Sequence, residues 1–262
     1  MKRFFGLLGL MIVFLALTPS AQAADGITAS QSKFQNNFPD SLIFSVSGES
    51  TTKITHVTLY IQIGKCVTHV YLPMFTPDVK VQAMYTWDLK KNYLPPGAEG
   101  QFWWLIEDSA GKQLQTPPQS FRVDDLTHTW QKLSNDQLAL YWYQGNQGFG
   151  QALYNRGLQA ISFLEKDLAV SLDQQVQIFI YASHTDLLKA LSMGSMEWTG
   201  GQDLPEYSVV MIGIDSSNLD WGLTTISHEL THQVVHHAIQ IGCNSIGTLS
   251  LPSLMDEGCS LA

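Results

Sequence analysis

Charge is scarce in this chain, and positive charge is scarcest. Only 14% of the 262 residues are charged, with 14 Lys and Arg against 23 Asp and Glu and a formal net charge of −9. The basic residues form no cluster, which argues against nucleic acid or an anionic membrane as a partner. No internal repeat, phosphate-binding glycine loop or Ser-His-Asp arrangement stands out in the sequence.

Long apolar runs are also scarce, and the first one is too short to span a bilayer comfortably. Lys2 and Arg3 precede an apolar run over residues 4–17, and Ala-Gln-Ala at 21–23 places small residues where a signal peptidase cleaves. These features predict a signal peptide over residues 1–23. Its removal would take two positive charges and lower the net charge from −9 to −11. We therefore expect an exported protein (secreted, periplasmic or at the cell surface) with no evident membrane anchor.

The first half of the mature chain has the pattern of a β protein. Apolar and polar residues alternate over Val57–Ile63, and a Pro-Pro-Gly turn lies at residues 95–97. Six or seven such strands with turns between them predict an immunoglobulin- or fibronectin-like sandwich over residues 24–125. The other predicted strands are 41–47, 67–72, 81–87, 102–107 and 121–123.

Two adjacent tryptophans mark one of these strands. Successive side chains of a strand face opposite sides, so Trp103 and Trp104 cannot both be in the core. One is expected in the core, and the other against the second domain or solvent. A sugar-binding role for the outer ring is the less favoured interpretation.

The second half mixes helices and strands, which predicts an α+β domain over residues 126–262. Helices are predicted at residues 149–170 and at 185–191, the latter capped by Ser183. The predicted strands are 138–143, 176–181, 198–202 and 209–214.

The most informative segment of the chain is His228-Glu229-Leu230-Thr231-His232. Side chains four apart share one face of a helix, so both imidazoles can bind the same Zn²⁺. Glu229 lies about 100° round the helix, close enough to act as a base without being a ligand. The segment predicts a zinc hydrolase, with one zinc per chain.

The helix that carries this motif is predicted over residues 220–241, capped by Asp220 and ended by Gly242. One stripe of the helix is apolar, with Leu223, Ile226, Leu230 and Val234 in register. The histidines lie on nearly the opposite face beside Val235 and Ile239, which favours a helix that is buried on most sides. His236, one turn beyond His232, is interpreted more readily as a packed or exposed residue than as a substrate contact.

A catalytic zinc needs a third protein ligand. The segment Leu-Pro-Ser-Leu-Met-Asp-Glu-Gly at 251–258 offers Glu257 about 25 residues after His232, with Asp256 as the competing carboxylate. A HELTH helix followed at this distance by Glu-Gly resembles the gluzincins, whose third zinc ligand is a Glu on the next helix. Residues 141–262 look like the bacterial peptidase MA-like group, in which a HELTH helix and an LP-x-x-x-x-EG helix recur in this order. The β half is similar to the front module of those proteins.

The resemblance implies a zinc metallopeptidase with a peptide or protein substrate. It assigns His228, His232 and Glu257 as zinc ligands and Glu229 as the general base that takes a proton from a zinc-activated water. In a gluzincin, the strand before the last lies at the edge of the cleft and pairs with extended substrate. In this chain that edge would be Gly200-Gly201-Gln202, although the glycines could equally mark a bulge or a turn.

The residue that stabilises the oxyanion in gluzincins follows the third ligand, and this chain stops at Ala262. We therefore expect the chain to be a C-terminally truncated form of a longer protein. The alternative function is a secreted binding or adhesion protein with a structural or inactive zincin lobe. The substrate and the oligomeric state are beyond the sequence.

The three cysteines allow one bridge at most. In an exported protein, Cys243 and Cys259 could tie the end of the metal-binding helix to the segment that carries Glu257. Cys66 would then remain unpaired in the β domain.

Overall fold

The computed structural model of the protein describes residues 22–24, 26–64, 67–191 and 200–247. Several predictions fall outside these described residues. They concern residues 1–21 of the signal peptide, Cys66, the start of the strand at 198–202, the side chain of Cys243, and the C-terminal segment with Asp256, Glu257 and Cys259.

The first half of the described chain consists of antiparallel strands, which pair into two sheets. The sheet orders are β1-β2-β3-β6 and β5-β4-β7-β8, and β9 pairs with β7 beside β8. This arrangement is consistent with a β-sandwich, while its immunoglobulin or fibronectin identity stays a prediction. The strands are β1 (Gln22–Ala24), β2 (Ile27–Asn37), β3 (Ser41–Ser50), β4 (Ile54–Ile63), β5 (Val67–Tyr71), β6 (Lys80–Asp88), β7 (Glu99–Asp108), β8 (Gln113–Gln115) and β9 (Gln119–Arg122).

Aromatic rings fill the space between the two sheets. Phe44 of β3 lies with its ring centroid 5.1 to 5.4 Å from those of Phe34, Phe102 and Phe121. Burial of such large side chains is the main favourable term for a sandwich. The period of two along β4 and β7 thus forms one buried face and one outer face.

Strand β2 was not predicted, because its sequence contains little of that alternation. Seven polar side chains occupy the stretch from Ser30 to Asn37, and the pairing with β3 shifts register between Ser30 and Lys33. The bulge breaks the period of two on which a sequence prediction depends. Strand β8 was missed for another reason: its three residues alternate, but they are too few for a period of two to be recognised.

The second half is an α+β unit around a five-stranded sheet of order β10-β11-β12-β14-β13. Strands β11, β12 and β14 are parallel, and β10 and β13 run antiparallel at the two ends of the order. The polar strand β10 was not predicted. The elements are β10 (Gln131–Ser134), β11 (Leu138–Trp142), α1 (Gln147–Leu168), β12 (Val176–Tyr181), α2 (His184–Ala190), β13 (Gly201–Leu204), β14 (Val209–Gly213) and α3 (Leu219–Gly247).

Both faces of the central strands β12 and β14 are buried. Ile178 and Val210 pack into the core formed with α1 and α3, whereas Phe179 and Met211 point the other way into the core that includes the sandwich. Strands covered on both faces are apolar throughout rather than alternating. This explains why 176–181 and 209–214 were predicted correctly from continuous apolar runs.

The cap of helix α1 determines where the helix begins, and two of its glycines determine how closely it packs on the sheet. The Asn146 side chain accepts a hydrogen bond from a backbone N–H of the first turn at 2.9 Å. A Cβ on Gly150 would lie 2.4 Å from the Trp142 ring, and one on Gly157 would lie 2.7 Å from Leu138. The helix therefore packs onto β11 with no side chain at either point.

The predicted helix over 220–241 is longer in the structure, and both of its predicted ends are wrong. Helix α3 begins at Leu219, so Asn218 occupies the cap position and Asp220 lies in the first turn. Gly242 lies inside the helix. An interior glycine costs only about 1 kcal/mol relative to alanine, which is too little to end a helix by itself.

Buried polar contacts join the two halves. The Tyr181 hydroxyl of β12 donates to Asp125 at 2.8 Å, and both residues are almost fully buried. Arg122 of β9 donates to the Gln177 side chain of β12 at 2.7 Å. The sandwich and the α+β unit consequently share one continuous core. None of the helices within the described residues has the length and apolar character required to cross a bilayer.

Tyr181→Phe is expected to destabilise the protein by about 1–3 kcal/mol, because it leaves a buried Asp125 oxygen without its donor. Urea unfolding followed by tryptophan fluorescence measures this loss. Tyr154→Phe is the matched control, since the described part of the chain offers that hydroxyl no hydrogen bond, and it should change stability by less than about 0.5 kcal/mol. Equal stabilities of the two variants would contradict the role given to the Tyr181 contact.

Candidate metal centre

Helix α3 has one buried face and one exposed face. Ile226 and Leu230 are fully buried in the core formed with α1 and the sheet, Val234 is also fully buried, and Leu223 is partly buried, as the predicted stripe requires. His228 and His232 lie on the other face.

That other face differs from the expectation of a helix buried on most sides. In the described residues, Val235 is 37% and Ile239 is 59% exposed, and both histidines are exposed. A sequence of this kind cannot distinguish an apolar face that is covered from one that borders a cavity.

The two imidazoles of α3 converge on one point. The Nε2 atoms of His228 and His232 are 3.1 Å apart, and their ring planes are inclined by 80°. Two nitrogens that bind one tetrahedral zinc at about 2.0–2.1 Å are separated by about 3.3 Å. The observed separation therefore fits a shared metal ion with little adjustment.

Glu229 lies between the helix and the last strand of the sheet. Its side chain is only 9% exposed, and a Cβ on Gly201 would approach its Oε1 to 2.7 Å. Burial raises the pKa of Glu229, while the neighbouring His228 and His232 act to lower it. A carboxylate held against bare backbone in this way has a restricted orientation, which a base that acts on one water molecule requires.

The residues predicted as a substrate edge lie beside the histidines. Strand β13 ends the sheet order and pairs with β14 in continuous register from Gly201 to Leu204, with no bulge. A Cβ on Gly200 would lie 2.8 Å from the Trp221 ring. The two glycines thus allow β13 and α3 to approach closely. Neither a substrate edge nor a bulge or turn is needed to explain the glycines.

Strand β13 and helix α3 enclose an open cavity of about 490 Å³. It brings together His228, Glu229 and His232 with Gly201 and Gln202 from the predicted edge. Gly200 precedes this strand and is not part of the lining. The remaining lining residues are Asp203, Val235, His236 and Ile239.

Asp203 is a site residue that the sequence prediction missed. It follows Gly201 by two positions on β13, so both face α3, and its carboxylate accepts a hydrogen bond from the buried Gln233 side chain. Gln233 also donates to the Val209 carbonyl at 3.3 Å. Burial raises the pKa of Asp203 to about 7, with the charge of nearby Glu229 adding to the rise. The period of two from Gly201 could have indicated this residue.

The third predicted ligand cannot be placed, because Glu257 and its competitor Asp256 lie outside the described residues. Among the residues that the structure does describe, no group of three or more His, Cys, Asp or Glu side chains could hold a metal ion. His228 and His232 are the described part of the predicted ligand set, and a complete metal site is a matter of proposal. His236 borders the cavity as an exposed side chain, and its role stays a prediction.

The sequence from residue 157 to residue 262 matches the model of the Peptidase MA superfamily. The matched segment contains most of α1, all elements from β12 to α3, and the His-Glu-Leu-Thr-His motif. This match supports a peptidase MA-like second half, for which peptide or protein substrates are implied. No curated protein matches the chain.

Solved structures show only distant similarity. OgpA from Akkermansia muciniphila, in a catalytically inactive form with an O-glycopeptide, is 16% identical over 41% of this chain and 32% of its own length, with a TM-score of 0.29. This chain thus spans about a third of that protein. A polysaccharide deacetylase from Bacillus cereus is 13% identical over 66% of this chain and 55% of its own, also at 0.29. Such scores do not establish a common fold.

Asp203→Asn tests the buried carboxyl. A pKa raised from 3.8 to about 7 means that its contribution to stability is complete below pH 3.8 and is lost as the pH rises through 7. In metal-free buffer, the stability of Asp203→Asn relative to the wild type should therefore increase between pH 4 and pH 8. Urea unfolding at each pH measures this difference. Asp136→Asn, at an exposed position, is the control for replacing a carboxyl group by an amide, and a flat difference for Asp203→Asn would contradict the assignment.

Proposed function

We propose that the protein is an exported zinc metallopeptidase of the gluzincin type, which hydrolyses peptide bonds with Glu229 as the general base. The supporting observation is the convergence of the His228 and His232 nitrogens beside a buried Glu229, within a cavity bordered by an edge strand. The superfamily match over this half of the chain favours a peptidase.

His228 and His232 would hold the zinc through their Nε2 atoms, and Glu257 is the proposed third ligand. Bound zinc supplies Lewis acidity, which polarises a carbonyl group and lowers the pKa of a water molecule. Neutral imidazoles and a carboxylate are the donor set of a catalytic zinc site.

Glu229 performs the proton transfer in this proposal. Its carboxylate accepts the proton of the attacking water and later donates it to the leaving amine. The contact with Gly201 keeps the carboxylate beside the histidines, and burial limits the competition from bulk water. General-base catalysis of this kind contributes about 10²- to 10⁴-fold to the rate.

Strand β13 is the proposed binding edge for an extended substrate. It is paired with β14 on one side only within the described sheet, and its residues Gly201 and Gln202 border the cavity. A peptide can add to such an edge through main-chain hydrogen bonds. This would hold the scissile bond parallel to β13 and in front of the two histidines.

Export and the nature of the front domain belong to the same proposal. The N-terminal signal pattern supports export, and the two stacked sheets support an immunoglobulin-like module. The competing proposal is an exported binding protein whose zincin lobe no longer catalyses. The two differ in whether the chain binds zinc and hydrolyses peptide.

Zinc content is the first measurement. The purified chain, dialysed against metal-free buffer, should retain close to one zinc per chain by elemental analysis, because the two histidines are already convergent. His228→Ala should lose the metal, and His236→Ala, a histidine of the same helix that also borders the cavity, should keep it. A folded chain that binds no zinc would favour the binding-protein proposal.

The choice of the third ligand can be tested in the same assay. Glu257→Ala should weaken zinc binding much more than Asp256→Ala, since only one of the two carboxylates is proposed to bind the metal. The reverse order would show that Asp256 is the ligand. Equal and small effects would remove this segment from the metal site.

Glu229→Gln should lower the turnover of a quenched fluorescent peptide mixture by at least about 100-fold, because the amide cannot take a proton. Zinc content should stay at the wild-type level, since Glu229 is not a proposed ligand. Glu206→Gln, an exposed carboxylate in the 3-10 turn that follows β13, is the matched control and should keep full activity. Retained turnover in Glu229→Gln would contradict the assignment of the base.

A further inference from the structure

A second and larger cavity lies between the two halves of the molecule, away from the histidines. Its volume is about 980 Å³, at the upper end of the roughly 300–1,000 Å³ that small-molecule sites occupy. The sandwich contributes residues of β4, β7 and β9, and the α+β unit contributes the segments before β12 and before β14. None of its lining residues belongs to the lining described for the histidine cavity.

Amide and hydroxyl groups dominate the lining of this interdomain cavity. Its glutamines are Gln62, Gln101, Gln174, Gln175 and Gln177, and its hydroxyls come from Ser120, Tyr207 and Ser208. An amide side chain both donates and accepts hydrogen bonds, as does a hydroxyl group. A ligand that presents donors and acceptors side by side, without net charge, therefore matches the cavity.

The single arginine of this cavity already has charged partners. Arg122 forms an ion pair with Asp124 and lies 3.5 Å from Glu99, and it also donates to Gln177. The remaining carboxylate, Glu206, is exposed. No unpaired cation is therefore present among the described lining residues to select a phosphate, a sulfate or an acidic sugar.

The outer face of the sandwich leads from the cavity to a pair of aromatic rings. Gln62 of β4 is the cross-strand partner of Gln101 of β7. The next pair on the same face is Tyr60, two residues before Gln62, and Trp103, two residues after Gln101. The aromatic pair is thus about 7 Å from the glutamine pair on the same face. The rings are parallel within 2° with centroids 5.4 Å apart, and both remain partly exposed.

We propose that this surface, from the Tyr60–Trp103 pair into the interdomain cavity, binds a neutral oligosaccharide. A sugar ring has an apolar C–H face that can pack on Trp103 and a rim of hydroxyls that can bond to the amides of Gln101 and Gln174. The Gln177 amide is already bonded to Arg122 and Gly97, and Gln175 donates to Asn135. Stacked aromatic rings on a solvent-facing sheet retain exposed apolar area that such a ligand would bury. The site is separate from the proposed peptidase cavity and does not depend on zinc.

A peptide is the less favoured ligand for this surface. Strand β9 does present an edge to the cavity, but its outward Arg122 is already paired within the protein. A peptide paired with β9 would not contact the Tyr60–Trp103 pair on β4 and β7. The two ligand classes can be separated directly by experiment.

The full chain should be screened on an array of neutral and acidic oligosaccharides. The neutral hexasaccharides that bind on the array should then be titrated by calorimetry. We expect binding of neutral glycans, weakened roughly tenfold or more in Trp103→Ala, because the packed aromatic surface is lost. Gln101→Ala should also weaken binding, since it removes an amide next to the rings. Phe163→Ala is the matched control, an aromatic residue of α1 that is 65% exposed and far from the sheet.

Three outcomes would overturn the proposal. The first is that a folded chain retains no neutral glycan. The second is that Trp103→Ala, folded by circular dichroism, binds as tightly as Phe163→Ala. The third is that the wild type binds acidic glycans or peptides of a peptide array, and that Trp103→Ala weakens this binding while leaving the binding of neutral glycans unchanged. Zinc removal with a chelator should leave glycan binding unchanged, so failure here is independent of the peptidase proposal.

Discussion

Helix α3 and strand β13 approach each other so closely that no side chain fits between them at Gly201. A Cβ there would lie 2.7 Å from the Glu229 carboxylate, and one on Gly200 would overlap the Trp221 ring. This close contact determines where the edge strand lies relative to the two histidines. It also restricts the orientation of the Glu229 carboxylate, and it brings the Asp203 carboxylate within reach of Gln233. The candidate metal centre is thus a consequence of backbone packing and not of the helix alone.

The position of α3 depends in turn on a sheet whose central strands β12 and β14 are buried on both faces. Ile178 and Val210 pack towards the helices, and Phe179 and Met211 pack towards the sandwich. Burial of apolar surface on both sides makes the sheet a rigid support, because each face excludes water over the same strands. The sandwich is therefore part of the platform that supports the candidate site, and the Tyr181–Asp125 contact strengthens this joint.

Two cavities of different chemistry result from this arrangement. The cavity beside α3 contains imidazoles and carboxylates, the groups that bind metal ions and move protons. The interdomain cavity contains amides and hydroxyls, with its arginine paired internally. The two proposals thus rest on different groups in separate places. Each of the two proposals can therefore be tested, and rejected, independently of the other.

The sequence alone predicted those features that depend on periodicity within one element. The His-Glu-Leu-Thr-His spacing indicated a convergent pair on one helix, the runs at 176–181 and 209–214 indicated buried strands, and Ser183 indicated a cap. Strand β2 was not predicted, because its polar residues and its bulge show no alternation of apolar and polar positions. The end of α3 was predicted wrongly because a lone glycine costs too little free energy to end a helix by itself.

Only the tertiary structure decided which groups from different elements meet. The approach of Gly201 to Glu229, the contact of Asp203 with Gln233, and the alignment of Trp103 with Tyr60 join residues separated by tens of positions in sequence. Such contacts depend on how sheets and helices pack, and close packing is a property of the whole core rather than of any segment. The sequence therefore determined which side chains one helix can present, namely the two histidines and Glu229. Packing decided the position of the Asp203 carboxylate, the edge strand and the cavity around them.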